Sequence, residues 1–91
     1  MRPVSYVITN FIEKTMSVKG LSLYITSDGK YLAMDGMFDT IFKFDMIFSD
    51  NDFSCQVLAK SEEGLVLKRA VNIPWTNGAA LREFMEYVLQ M

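Results

Sequence analysis

Residues 40–60 read TIFKFDMIFSDNDFSCQVLAK, and the alternation within this stretch decides the fold. Successive side chains of a strand point to opposite faces. Phe42, Phe44, Met46 and Phe48 therefore share one face, with Ile41, Lys43, Asp45 and Ile47 on the other. Ser49-Asp50-Asn51-Asp52 follows, four residues of the types whose side chains hydrogen-bond their own backbone in turns. Phe53, Cys55, Val57 and Ala59 then alternate against Ser54, Gln56 and Lys60. Two alternating runs joined by a short polar turn predict an antiparallel hairpin.

The pattern extends both ways. Upstream, Leu21, Leu23 and Ile25 alternate with Ser22, Tyr24 and Thr26, and Asp28-Gly29 offers the positive φ angles of a tight hairpin turn. Residues 30–35 form the returning strand, ended by Gly36. Downstream, Ser61-Glu62-Glu63-Gly64 turns the chain again, and residues 65–73 form a fifth strand that Pro74, lacking an N–H, terminates.

Helices flank this meander. Over residues 3–18, Pro3 suits the first helical position, and Val4, Val7, Ile8, Phe11, Ile12 and Thr15 recur at helical spacing. Lys19-Gly20 places a cation and then a glycine at the negative end. After Pro74, Thr76 or Asn77 caps a second helix whose stripe is Leu81, Phe84, Met85, Val88 and Leu89, with Arg82 and Glu86 spaced for an i,i+4 pair. The expectation is an α+β fold: a five-stranded antiparallel meander flanked by an N-terminal and a C-terminal helix, α-β-β-β-β-β-α.

Ninety-one residues, 1–91, make a single domain. With 51% hydrophobic and 22% charged residues, the chain has the balance of a folded water-soluble domain. It contains no histidine, the commonest general base and zinc ligand, and its one cysteine cannot close an internal disulfide. The net charge of −2 argues against a dedicated polyanion binder. No apolar run reaches signal-peptide or membrane-span length, so a cytoplasmic site without membrane attachment is expected.

Each candidate for chemistry has a plainer reading. Cys55 alternates with Phe53, Val57 and Ala59, as a core thiol does, and no histidine is present to activate it. Asp35, Asp39, Asp45, Asp50 and Asp52 crowd one window against Lys43 alone. Asp50 and Asp52 start a calcium loop, but its sixth position is Cys55 and its twelfth Ser61, where Gly and Glu are required. Turn chemistry, or an acidic patch for a basic partner, accounts for them better. Tyr24, Tyr31 and Trp75 with Lys68 and Arg69 would suit a single-stranded nucleic-acid platform, if the fold gathered them. Asn77-Gly78-Ala79 reads as an N-cap before it reads as an anion site. No catalytic residue, cofactor or metal site is therefore expected.

The large apolar content remains. Seven Phe, four Tyr, one Trp and seven Met are many for this length, and the strands carry apolar residues on both faces. Ile41 and Ile47 face away from the Phe42–Phe48 side, and Leu58 and Val66 break the polar faces of their strands. One helical layer cannot cover both faces. Either the helices split between them, or Ile41, Ile47, Leu58 and Val66 bind another protein or a second copy of the chain.

The order of elements also resembles the type III secretion chaperone-like domain. The resemblance runs through the opening helix at residues 7–14, the hairpin at 23–34 around Asp28-Gly29, strands 41–48 and 53–60, and the helix at 81–89. Small size and an acidic pI near 4.9 agree with it. The chain differs in placing five strands, not three, before its second helix, and no functional residue is carried over. The resemblance implies a non-enzymatic protein binder. The expected function is thus a small acidic protein-binding module, whether chaperone-like, an adaptor or a host-factor inhibitor of a phage or mobile element, and also a homodimer if the apolar face pairs with itself. A small single-stranded nucleic-acid-binding protein is the alternative.

Overall fold

The computed structural model describes residues 4–91. Along the chain run α1 (Val4–Val18), β1 (Ser22–Ile25), β2 (Tyr31–Met34), β3 (Thr40–Phe48), β4 (Asp52–Ser61), β5 (Gly64–Pro74) and α2 (Gly78–Gln90). The five strands form one antiparallel sheet in the order β1-β2-β3-β4-β5. The α-β-β-β-β-β-α outline expected from the sequence is the observed one. Pro3 lies outside the described residues.

Local chemistry fixes the ends. Gly20 takes a φ of 80°, and its N–H donates to Ser17 while that of Leu21 donates to Met16. These two bonds satisfy carbonyls that the helix end would leave unpaired. The Lys19 ammonium, expected to serve the end of α1, donates instead to the carbonyls of Leu89 and Met91 and so ties the chain after α1 to the end of α2. At α2, the Asn77 carboxamide oxygen accepts from the Ala80 N–H at 3.1 Å, as an N-cap does. The Arg82–Glu86 pair expected on α2 is not among the ion pairs of the described residues, which are Lys30–Asp45 and Lys60–Asp39.

Both helices lie on the same face of the sheet. Ile8, Ile12 and Met16 of α1 and Phe84 and Val88 of α2 share one buried cluster with Ala33, Phe44, Met46, Phe53, Cys55, Val57 and Ile73. The strand members of that cluster are register neighbours: Phe44 opposes Val57, Met46 opposes Cys55, and Phe53 opposes Ile73. Phe53 meets Phe84 edge-on at 5.4 Å and stacks with Phe48 and Trp75, joining α2 to the sheet through aromatic contacts. The stripe of α1 is rotated from the expected one: Ile8, Ile12, Thr15 and Met16 are buried, whereas Val4 and Val7 are exposed.

Two turns differ from the simplest reading. The first hairpin is closed by Thr26 and Lys30, with Ser27, Asp28 and Gly29 as its loop. Only Gly29 has a positive φ, 83°, so the tight two-residue turn at Asp28-Gly29 is not formed. The β2–β3 connection repeats this geometry between Asp35 and Asp39, but Phe38, with a φ of 60°, stands where the first loop has glycine.

Candidate functional site

No described element covers the sheet face opposite the helices. Across it from β1 to β5 run Tyr24, Leu32, Lys43, Leu58 and Leu67, each the register partner of the next. Lys60 and Leu65 form the neighbouring pair towards the β4–β5 turn. Ile47, 64% exposed, stands near the other end, opposite Ser54. Beside it Asp45, Ile47, Ser54, Gln56, Ala70 and Asn72 line a shallow hollow of about 390 Å³. Small side chains on β4 and β5 leave room there for an apolar group.

A β-bulge makes this face more apolar than simple alternation predicts. Val57 opposes Arg69, but Leu58 opposes Leu67, so Lys68 is an extra residue in β5. An extra residue exchanges the faces of everything beyond it. Leu65 and Leu67 thereby turn onto the uncovered face, at 40% and 52% exposure. Val66 moves the other way. It opposes Ala59, itself opposite Phe42, and so lies on the helix side of the sheet. Of the four expected contact residues, Ile47 and Leu58 occupy the uncovered face. Ile41 sits half-buried at a second irregularity, where β2 and β3 slip between Ala33 and Met34. Val66 does not belong with them, because an uninterrupted alternation across the bulge misplaces it.

The loop at Phe38 extends the patch. Asp35 accepts from the N–H groups of Met37 and Asp39 at 2.9 and 3.0 Å, holding the loop in shape. Those two N–H groups also keep the Asp35 carboxyl below its ordinary pKa. Met37 and Phe38 project from the tip, 88% and 69% exposed, and the Phe38 ring lies 6.2 Å from that of Tyr24. A left-handed phenylalanine that exposes its ring costs about 1–2 kcal/mol of backbone strain. Sequence reasoning missed this residue. No sequence signal marks it: Asp35-Gly36-Met37-Phe38-Asp39 matches Thr26-Ser27-Asp28-Gly29-Lys30 at no position, and only their hydrogen bonds show that the two loops correspond.

Charges ring the apolar strip in pairs. The Lys30 ammonium meets Asp45 at 2.5 Å, and Lys60 pairs with Asp39. Asp52 accepts from the Ser49 hydroxyl at 2.6 Å and from the Asn72 amide at 3.0 Å, which lowers its pKa. Four of the five clustered aspartates are thus engaged in turns or ion pairs. Among the described residues no three acidic, cysteine or histidine side chains converge as a metal site would need.

The remaining candidates are dispersed. Cys55 is 1% exposed in the core, and burial, with the Asp45 charge adding to it, pushes its thiol up to about 12. Such a thiol is protonated at neutral pH and a poor nucleophile. The five residues of the nucleic-acid platform do not share a surface. Tyr24 is on the uncovered face, Tyr31 opposes Phe44 on the helix side, and Lys68 is the bulge. The Arg69 guanidinium packs over the Tyr87 ring at 4.7 Å, while the Trp75 indole donates to the Ser49 carbonyl and stacks on Phe48. No described helix is long and apolar enough to cross a membrane. No protein family, curated protein or solved structure matches the chain.

Proposed function

We propose that this chain is a small acidic, non-enzymatic protein-binding module whose contact surface is the sheet face that the helices leave open. The observation that carries the reading is the row Tyr24–Leu32–Lys43–Leu58–Leu67, continuous from strand to strand and extended by Met37, Phe38 and Ile47. An antiparallel sheet with one packed face presents polar side chains on the other. This one presents leucines at the corresponding positions, and large apolar patches rimmed by polar groups mark protein contacts. The rim suits a partner bearing both signs of charge, because Lys30–Asp45 and Lys60–Asp39 offer both. A partner helix or sheet with apolar anchors would seat one in the hollow beside Ile47. A chaperone-like protein, an adaptor and a host-factor inhibitor would each use such a surface.

The test compares the proteins retained from source-cell lysate by the immobilised chain and by its Ile47→Lys and Leu58→Lys variants, followed by reassembly from purified components. The proposal requires a retained protein that binds the purified chain and is lost by both variants while circular dichroism shows them folded. Equal retention by folded variants, or no reassembly, contradicts it.

A further inference from the structure

The two edges of the sheet are unequal. β1 has four residues, short enough to make a poor template. β5 has eleven, no described element lies beyond it, and Gly64–Ala70 is exposed throughout. Natural proteins blunt such edges with lysines, prolines and bulges. Here Lys68 and Arg69 at the bulge and the terminal Pro74 protect the second half of β5, whereas Leu65, Val66 and Leu67 are left bare. This stretch lies beyond the helices, with apolar side chains on both faces of the sheet.

We propose that two copies of this chain pair antiparallel along their β5 edges, with the two-fold axis at Val66. In that register Val66 faces its own counterpart and Leu65 faces Leu67 of the second copy. The pair of five-stranded sheets then becomes one continuous ten-stranded sheet. The bulge at Lys68 ends the pairing and sets its length. The second copy, rather than an unrelated strand, is indicated by charge. Glu62 and Glu63 precede the bare stretch and Lys68 and Arg69 follow it, and none of the four joins either ion pair of the described residues. Reversing the strand about Val66 brings the acidic turn of each copy alongside the basic bulge of the other. The pairing goes beyond the partner-binding reading and does not depend on it: joining the β5 backbones edge to edge leaves the face row Tyr24–Leu32–Lys43–Leu58 open, and only Leu67 belongs to both surfaces.

The experiment measures the mass of the purified full chain by sedimentation over a concentration series, together with disulfide trapping of Val66→Cys. A residue on the two-fold axis can link only to itself, and its cross-strand Cβ separation is within disulfide reach after a small adjustment. The expected results are a concentration-dependent dimer, rapid covalent dimerisation of Val66→Cys, and none for Ile47→Cys. Glu62→Lys/Glu63→Lys and Lys68→Glu/Arg69→Glu should each weaken self-association at least about tenfold. Mixing those two variants should restore the dimer, because opposite charges again meet at both contacts. A monomer at every concentration, trapping through Ile47→Cys instead, or mixed variants that fail to pair would each overturn the proposal. None of these readouts involves a partner protein, so failure here leaves the open-face reading standing and is told apart from its failure.

Discussion

Leu58 stands directly across the β4–β5 ladder from Leu67, on the sheet face that neither helix covers. Directly opposed side chains on one face lie about 4.5–5.5 Å apart at Cβ, so the two leucines form one apolar surface. Lys43, the next partner of Leu58, lies between it and Leu32. A lysine can lay its aliphatic stem along such a row and still keep its charge in water. The row exists because one extra residue in β5 turns two leucines outward.

Ile47→Lys should leave the fold unchanged, with stability within about 0.5 kcal/mol of wild type, because the side chain is already mostly in water. Partner affinity should fall sharply, since the new charge would have to be desolvated on binding. Thermal unfolding and titration of the retained protein check both halves. An unfolded variant would mean that the face is covered in the free chain.

Phe38→Asn separates strain from function. Asparagine tolerates the left-handed region better than phenylalanine does, so stability should hold or rise, by up to about 1 kcal/mol. Affinity should fall, because the ring beside Tyr24 is lost. Denaturant titration and binding measured on one preparation give the comparison. A clear loss of stability would show instead that the ring supports the fold.

Cys55→Ser should cost about 1–3 kcal/mol, since a hydroxyl enters a site lined by apolar groups. Native protein should react slowly with a thiol reagent at pH 8, far below a thiol pKa pushed up to about 12 by burial, and rapidly once unfolded. Partner binding should survive in whatever fraction still folds. Fast native labelling would show that the core opens at β4.

Acid should loosen the turns. Asp28, Asp35 and Asp52 all have pKa values lowered from 3.8. The Thr26 hydroxyl, the Asp39 N–H and the Ser49 hydroxyl, in that order, are the leading causes. A carboxyl whose folded pKa is depressed stabilises the fold above its unfolded value, and that contribution is lost as pH falls through the folded value. Stability should therefore decline below about pH 4, and Asp35→Asn and Asp52→Asn should each make the decline shallower. Unfolding midpoints between pH 2 and pH 6 provide the check, and identical slopes in wild type and variants would contradict it.

Much of the fold was legible in short-range pattern. Phe42–Phe48 alternates without interruption, and the paired turn residues around it leave few other readings. The capping signals Gly20 and Asn77 act locally, so they too are readable. Long-range facts were not. Alternation states that a strand has two faces but not which one receives a helix, and both helices chose the side of Phe44 and Val57. A bulge has no compositional mark here, so Val66 was placed with Leu58 when Leu67 belongs there. Phe38 was invisible because its left-handed backbone is set by the loop and the Asp35 carboxylate rather than by its own preference.

Methyl NMR of the labelled chain, titrated with the purified retained protein, tests the open-face claim most directly. The account predicts that methyl signals of Leu32, Ile47, Leu58 and Leu67 shift or broaden on binding, while those of Ile8, Ile12, Ile73 and Val88 in the helix-covered core stay in place. Perturbation centred on the exposed helix residues Val4, Val7, Val18 and Leu89, with the four sheet residues unmoved, would contradict it.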